Sequence, residues 1–238
     1  TYYKIEGLIT DLHQLYDADK SDPLFLFGRL RRARILEMIG KLPRERRRLV
    51  LDLGCADGTY FFQLARISEA VAGVDISEER LARIRRKVPH ARVFELDMAT
   101  QPLPFEKGEA SLVLATEVLE HIHEPARLFS EIARCLEVGG VLVATVPNRL
   151  ALHHLTNRIR GRKEHGPTWF HPNEWSYWDL KRLLARHGLR ILQLRGVGIS
   201  VPKLPALSSH AAFQRGFSRL PWAGLIAEDL IVLATKDF

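Results

Sequence analysis

The fold of this chain turns on Leu49-Val50-Leu51-Asp52-Leu53-Gly54-Cys55-Ala56-Asp57-Gly58-Thr59-Tyr60. Leu49, Leu51 and Leu53 alternate along the chain with Val50 between them, the pattern of a parallel strand buried on both faces. The strand ends at Gly54, and Gly58 opens a helix that begins Thr59-Tyr60-Phe61-Phe62. Glycines at such a junction let the backbone turn sharply and bring a ligand against main-chain N–H groups at the helix N-terminus. An ordinary strand–turn–helix also uses glycines for geometry alone, so the spacing has to discriminate.

A dinucleotide fingerprint places glycines at offsets zero, two and five, where this chain has Gly54, Ala56 and Thr59. A phosphate-cradling loop is excluded as well, because no Gly-Lys-Ser/Thr follows. The pattern that fits is Asp52-x-Gly54-x-x-x-Gly58, an acid two residues before the first glycine. It resembles motif I of the class I S-adenosylmethionine-dependent methyltransferases. The resemblance implies that Asp52 and the loop amides meet the amino-acid end of a cationic sulfonium cofactor.

Working outward, Ala70–Val74 is expected to form a second strand ended by Asp75. An acid about 20 residues beyond the first glycine is placed to accept both ribose hydroxyls of an adenosine. Ser77, Glu78 and Glu79 suit the start of a helix running to Lys87, and Pro89 stops it. A third strand, Ala91–Leu96, leads into Asp97 and Met98. In the family an Asp here accepts from the adenine amino group and the next residue packs on the ring; the plain alternative is a strand-end turn. Pro102 and Pro104 mark a loop before a fourth strand, Ser111–Thr116.

That strand runs into Glu117-Val118-Leu119-Glu120-His121-Ile122-His123. The run resembles the family's segment after the fourth strand, which borders the cofactor and faces the methyl acceptor. Pro125 suits a first helical turn, and Ala126–Leu136 is amphipathic. Glu137-Val138-Gly139-Gly140 is expected to end this helix before a strand at Val141–Val146. The family usually has Pro-Gly-Gly there, so Val138 is a departure, as is Ser111 where an Asp is common.

Residues 148–178 change character, holding His153, His154, His165 and His171 with Trp169, Trp175 and Trp178. A segment following strand five overlies the carboxyl ends of the strands, where open α/β sheets bind ligands. It is read as a lid over an acceptor pocket, with no metal, since its histidine spacing matches no ligand motif. Ser176 and Asp179 start a helix that Gly188 caps. Leu189–Val197 and Asp229–Ala234 complete seven strands. The proline- and glycine-broken stretch between them, residues 198–227, is read as a hairpin insertion closing the cleft, with an apolar edge for a greasy substrate or a membrane surface as the alternative.

The expected fold is therefore α/β: a Rossmann-like, seven-stranded, mostly parallel sheet with helices on both faces and an antiparallel last strand. Residues 1–47 form an N-terminal cap and 48–238 the methyltransferase domain. Phe25–Ile39 carries a helical apolar stripe, and in the family an arginine on such a helix meets the cofactor carboxylate. Arg34 or Arg29 is the candidate, with Arg34 taken. The resemblance thus assigns S-adenosylmethionine, and its product S-adenosylhomocysteine, to Asp52, Gly54, Ala56, Gly58, Asp75, Ile76, Asp97, Met98, Thr116 and Arg34. A hydroxyl acceptor must lose a proton, and His121 is the expected general base, ahead of His123 and His171.

With 238 residues, 46% of them apolar and 26% charged, the composition is that of a folded globular chain. Cys55 and Cys135 offer no disulfide framework, so a reducing cytoplasm is the expected compartment. No signal-peptide pattern opens the sequence, and its longest apolar run, Leu220–Ala234, is broken by Glu228 and Asp229. The net charge of +7 arrives in bursts at Arg29–Arg34, Arg44–Arg48 and Arg83–Lys87. Solvated helix faces are the expected account of such runs, with nucleic acid or an anionic lipid surface as the alternative, and none is interleaved with aromatics as single-strand binding requires. The expected reaction is methyl transfer to a small-molecule, sugar or lipid-like acceptor. An RNA methyltransferase of the same fold and a non-catalytic binding subunit are the rival readings.

Overall fold

A computed structural model describes residues 23–161, 172–201, 204–220 and 222–237. Helix α1 (Pro23–Gly40) leads to β1 (Leu49–Leu53), α2 (Phe61–Ile67), β2 (Ala70–Asp75), α3 (Glu78–Lys87) and β3 (Arg92–Glu95). Then come β4 (Ala110–Thr116), a 3-10 turn (Leu119–His121), α4 (Pro125–Cys135), β5 (Leu136–Pro147) and α5 (Leu152–Ile159). The chain closes with α6 (Tyr177–Arg186), β6 (Leu189–Val197), α7 (Pro205–Ser208), α8 (Ala211–Phe217), a 3-10 turn (Ala223–Leu225) and β7 (Asp229–Lys236).

The strands form one seven-stranded sheet in the order β3-β2-β1-β4-β5-β7-β6. The pairs from β3 through β5 are parallel, and β7 runs antiparallel to both its neighbours, β5 and β6. Period-two alternation sorts side chains to the two faces. Val50, Leu112, Leu114, Val141 and Val143 pack under α1 and α2, together with Ile35, Leu36, Ile39 and Leu64. Leu51, Leu53, Val113, Ala115, Leu142 and Ala144 pack under α4 and α6, against Phe129, Ile132, Leu180 and Leu184. Central strands buried on both faces read as nearly continuous apolar runs, which is why β1 and β4 stand out in the sequence.

Local chemistry fixes the helix starts. Ser77 accepts the Arg80 N–H at 3.4 Å ahead of two acids in the first turn of α3. Ser176 and Asp179 form a reciprocal capping box at α6. Two expectations need correction. The Glu137–Gly140 segment does not separate helix from strand: α4 ends at Cys135 and β5 starts at once, passing through Gly139 at φ +76°. The partner residues shift from Ala110–Leu136 to Leu112–Val141, so these glycines form an irregularity inside the strand. A Cβ at Gly140 would lie 2.8 Å from the Glu137 carbonyl oxygen.

The stretch between β6 and β7, expected as a hairpin, instead holds short helices among its described residues: α7, α8 and a 3-10 turn. Ala211–Phe217 opens on two alanines, and His210 caps it by accepting the Phe213 N–H at 3.2 Å. The strand directions put the end of β6 and the start of β7 at the same edge of the sheet as the carboxyl ends of β1, β4 and β5. The helical insertion therefore lies at that edge, with the loops that follow the parallel strands.

Candidate active site

After β1 the backbone enters the left-handed region at Gly54 (φ +70°), Ala56 (φ +47°) and Gly58 (φ +93°). The Gly54 and Cys55 amides both turn back onto the Val74 carbonyl, at 2.8 and 3.1 Å, so the loop is wrapped against the end of β2. Two glycines are sterically required here. A Cβ on Gly54 would sit 2.4 Å from Val118 Cγ2, and one on Gly58 would sit 2.5 Å from the Phe62 ring. Ala56 adopts the left-handed conformation with a side chain, at a cost of about 1–2 kcal/mol.

Asp75 ends β2 and anchors this loop. Its Oδ2 accepts the Ala56 N–H at 2.8 Å and its Oδ1 accepts the Ser77 N–H at 3.0 Å, leaving further lone pairs on both oxygens. Asp52, in β1, is only 1% exposed, and neither of its carboxylate oxygens has a hydrogen-bond partner among the described residues. Burial and then the neighbouring Asp75 charge push its carboxyl up to about 8. Ile76, between Asp75 and the α3 cap, is 65% exposed, an unusual position for an isoleucine beside a buried acid.

After β3, Asp97 closes a turn on itself: Oδ1 accepts the Ala99 N–H and Oδ2 the Thr100 hydroxyl, both at 2.9 Å. Met98 is buried, and its carbonyl accepts from Arg127 at 2.7 Å. Thus Asp52, Gly54, Ala56, Gly58, Asp75 and Ile76 belong to the adjoining ends of β1 and β2, and Asp97 and Met98 to the next strand out.

The other half of the site follows β4. Thr116 is buried at the strand end, and Glu117 takes φ +53°. The Thr145 hydroxyl accepts the Glu117 N–H at 3.1 Å and donates to Glu117 Oε1 at 2.9 Å. Arg31, from α1, bridges Glu117 at 2.9 Å and Asp229, the first residue of β7, at 2.8 Å. Glu120 is buried with its Oε2 unpartnered, and burial and then the Glu117 charge raise its carboxyl well above the usual range. Burial likewise raises Asp229, with Arg31 opposing. His121 is 43% exposed, its Nε2 lying 4.0 Å from Glu120 Oε1. His153 pairs with Glu228 at 2.8 Å, and Glu228 also accepts the Ser200 N–H.

Arg34 does not join this cluster. It pairs with Glu37 at 2.6 Å and donates to the Ser218 carbonyl at 3.3 Å, tying α1 to the turn after α8. Arg31 is the arginine of α1 that reaches the strand ends, and the sequence reading did not single it out. The available signal was Glu228-Asp229 interrupting an apolar run, two acids that required a partner.

The basic runs are largely spent within the fold. Arg47 is buried and donates to the Ile67 carbonyl, Arg48 pairs with Glu137, Arg83 with Glu79 and Arg85 with Glu78. His165, Trp169 and His171 of the expected lid lie outside the described residues. Among the described residues no three His, Cys, Asp or Glu side chains group to hold a metal ion, and no helix is long and apolar enough to cross a membrane.

Residues 25–194 match the family model described as a methyltransferase domain. A probable S-adenosylmethionine-dependent methyltransferase from Mycolicibacterium smegmatis is 28% identical over 195 residues, covering 79% of this chain and 72% of that protein. A ubiquinone biosynthesis O-methyltransferase from Caulobacter vibrioides is 31% identical over 106 residues, 42% of this chain and 41% of the relative. Among solved structures, the magnesium protoporphyrin IX methyltransferase of Synechocystis, crystallised with bound S-adenosylhomocysteine, superposes with a TM-score of 0.60. It is 18% identical, and the match covers 98% of this chain and 96% of that one.

Proposed function

We propose that this chain, which belongs to the methyltransferase-domain family and is an S-adenosylmethionine-dependent methyltransferase of the class I fold, methylates a hydroxyl oxygen of a small-molecule, sugar or lipid-like acceptor. The observation that carries the cofactor assignment is the buried Asp52 carboxylate without a partner, set beside a left-handed loop and the anchored Asp75. A cationic ligand end satisfies such an acid, and the residues present fit that need.

When bound, the cofactor supplies an electrophilic sulfonium methyl. In this reading Asp52 and the amides of the Gly54–Gly58 loop hold its amino-acid end. Asp75, oriented by Ala56 and Ser77, accepts the ribose hydroxyls with its remaining lone pairs. Ile76 and Met98 cover the adenine, and Asp97 receives its amino group. Thr116 ends the floor of the cleft. Arg34 lies with Glu37 and Ser218, whereas Arg31 reaches the strand ends, so in this reading Arg31, besides bridging Glu117 and Asp229, is the candidate for the cofactor carboxylate.

On the acceptor side His121 takes the hydroxyl proton, while the raised carboxyl of Glu120 stays protonated near neutral pH and does not compete for it. Burial of the strand ends positions the reacting groups and excludes water. Two buried free cysteines suit a reducing cytoplasm. The reading is tested by incubating the protein with S-adenosylmethionine and a panel of quinols, sugars and lipid-linked alcohols, and following S-adenosylhomocysteine release. Methylated oxygen in one of these classes supports it, and turnover only on amines or carbon acceptors overturns it.

A further inference from the structure

The helical insertion at residues 198–227 is a built module with its own small core. Ile199, Phe217, Ala223 and Ala227 are buried together, with Leu152, Val201, Phe213 and Ile226 packed around them. Gln214, fully buried, ties it shut: its amide nitrogen donates to the Ile199 and Ser208 carbonyls at 2.8 and 2.9 Å, and its oxygen accepts the Ile199 N–H at 2.9 Å. The first turn of α5 joins through the Leu152 N–H on the Ile226 carbonyl at 3.0 Å.

That core is complete, yet Leu204, Leu207, Leu220, Trp222 and Leu225 remain outside it and exposed. They are five of the eleven large exposed apolar side chains among the described residues. Trp222 stands edge-on to Phe217, with ring centroids 6.1 Å apart, and is itself 50% exposed. At the end of α5, Ile159 is 86% exposed between exposed Arg158 and Arg160. Along the sequence the insertion itself carries charge of one sign. No Asp or Glu occurs between Asp179 and Glu228, a stretch that contains Lys203, Arg215 and Arg219.

We propose that this insertion docks peripherally on an anionic bilayer surface, with Trp222 and its neighbouring leucines entering the interface and exposed basic side chains such as Arg160 and Arg219 meeting lipid phosphates. Exposed apolar side chains on a segment whose own charges are all basic are what such a surface selects. A second copy of the chain fits poorly, because a two-fold contact would set this basic segment against itself. An RNA strand fits poorly too, because four of the five side chains are leucines and offer no ring for base stacking. The insertion joins β6 to β7 at the carboxyl edge of the sheet, so docking would bring the acceptor side of the cleft toward the lipid.

The test is co-sedimentation of the full chain, without cofactor, with vesicles of equimolar phosphatidylglycerol and phosphatidylcholine, against pure phosphatidylcholine. Binding to the anionic vesicles that weakens with salt is expected. Trp222→Ser with Leu225→Ser, and separately Arg160→Glu with Arg219→Glu, should each lower partitioning roughly tenfold or more while the far-ultraviolet spectrum is unchanged. Absence of binding by the wild type, equal binding to neutral vesicles, or undiminished binding by both variants would overturn the proposal. So would a patch variant that changes only the oligomeric state in sedimentation, or only RNA retention, with vesicle binding intact.

Discussion

The Asp75 carboxylate accepts the backbone N–H of Ala56 across 2.8 Å, joining the end of the second strand to the turn after the first. One acid thereby holds the loop in its left-handed path while keeping lone pairs available to a ligand. Beneath this pair lies Asp52, which has no such partner.

Asp52 should couple cofactor binding to proton release. Its carboxyl, pushed up to about 8 by burial and Asp75, is protonated at pH 7 in the unliganded protein, and a cationic ligand end favours its ionised form. Calorimetry at pH 7 in buffers of different ionisation enthalpy should report close to one proton released, and Asp52→Asn should abolish it. The same shift has a stability sign. A raised folded-state value contributes stability below the unfolded pKa of about 3.9 and loses it as pH rises toward 8. Unliganded protein should therefore become easier to unfold over that window, and Asp52→Asn should flatten the dependence.

Gly54→Ala should destabilise the protein by about 2–3 kcal/mol, combining the positive φ with a Cβ 2.4 Å from Val118. Adding Val118→Ala relieves the overlap but not the φ penalty, so a double-mutant cycle by urea unfolding should show partial rescue. Additive losses would mean that the two side chains do not meet.

Removing the Arg31 guanidinium leaves the largely buried Asp229 facing the partly exposed Glu117 without a counter-ion between them. Arg31→Ala should cost about 3 kcal/mol near pH 8. The cost should shrink toward pH 5, where Asp229, already raised by burial, takes up a proton. Urea midpoints at the two pH values check this.

His121→Ala should lower kcat by about 10²-fold or more with cofactor affinity unchanged, the signature of a lost general base. A loss confined to KM would reassign His121 to acceptor binding.

Much of this architecture is legible in the chain because its signals are local. β1 announces itself by alternation at Leu49, Leu51 and Leu53, and α6 by Ser176 three residues before Asp179. The place of Asp75 at the end of β2 is read from the apolar run Ala70–Val74 before it. What was illegible depends on distance or on ambiguous punctuation. Arg31 meets Asp229 across 198 positions, and nothing local separates it from Arg34, one helical turn away on the same face. Gly139-Gly140 carries the same signal whether it stops a helix or bends a strand. The prolines and glycines of residues 198–227 suggest a loop as readily as the short helices they punctuate, and Gln214, which ties those helices together, looks like any polar residue.

The most direct measurement is calorimetric binding of S-adenosylmethionine and S-adenosylhomocysteine to the wild type and to Asp75→Ala, each checked for a folded spectrum. The account predicts wild-type binding of both ligands in the micromolar range, lost in a variant that stays folded. Failure of the wild type to bind either ligand, or full binding by the folded Asp75→Ala protein, would contradict it.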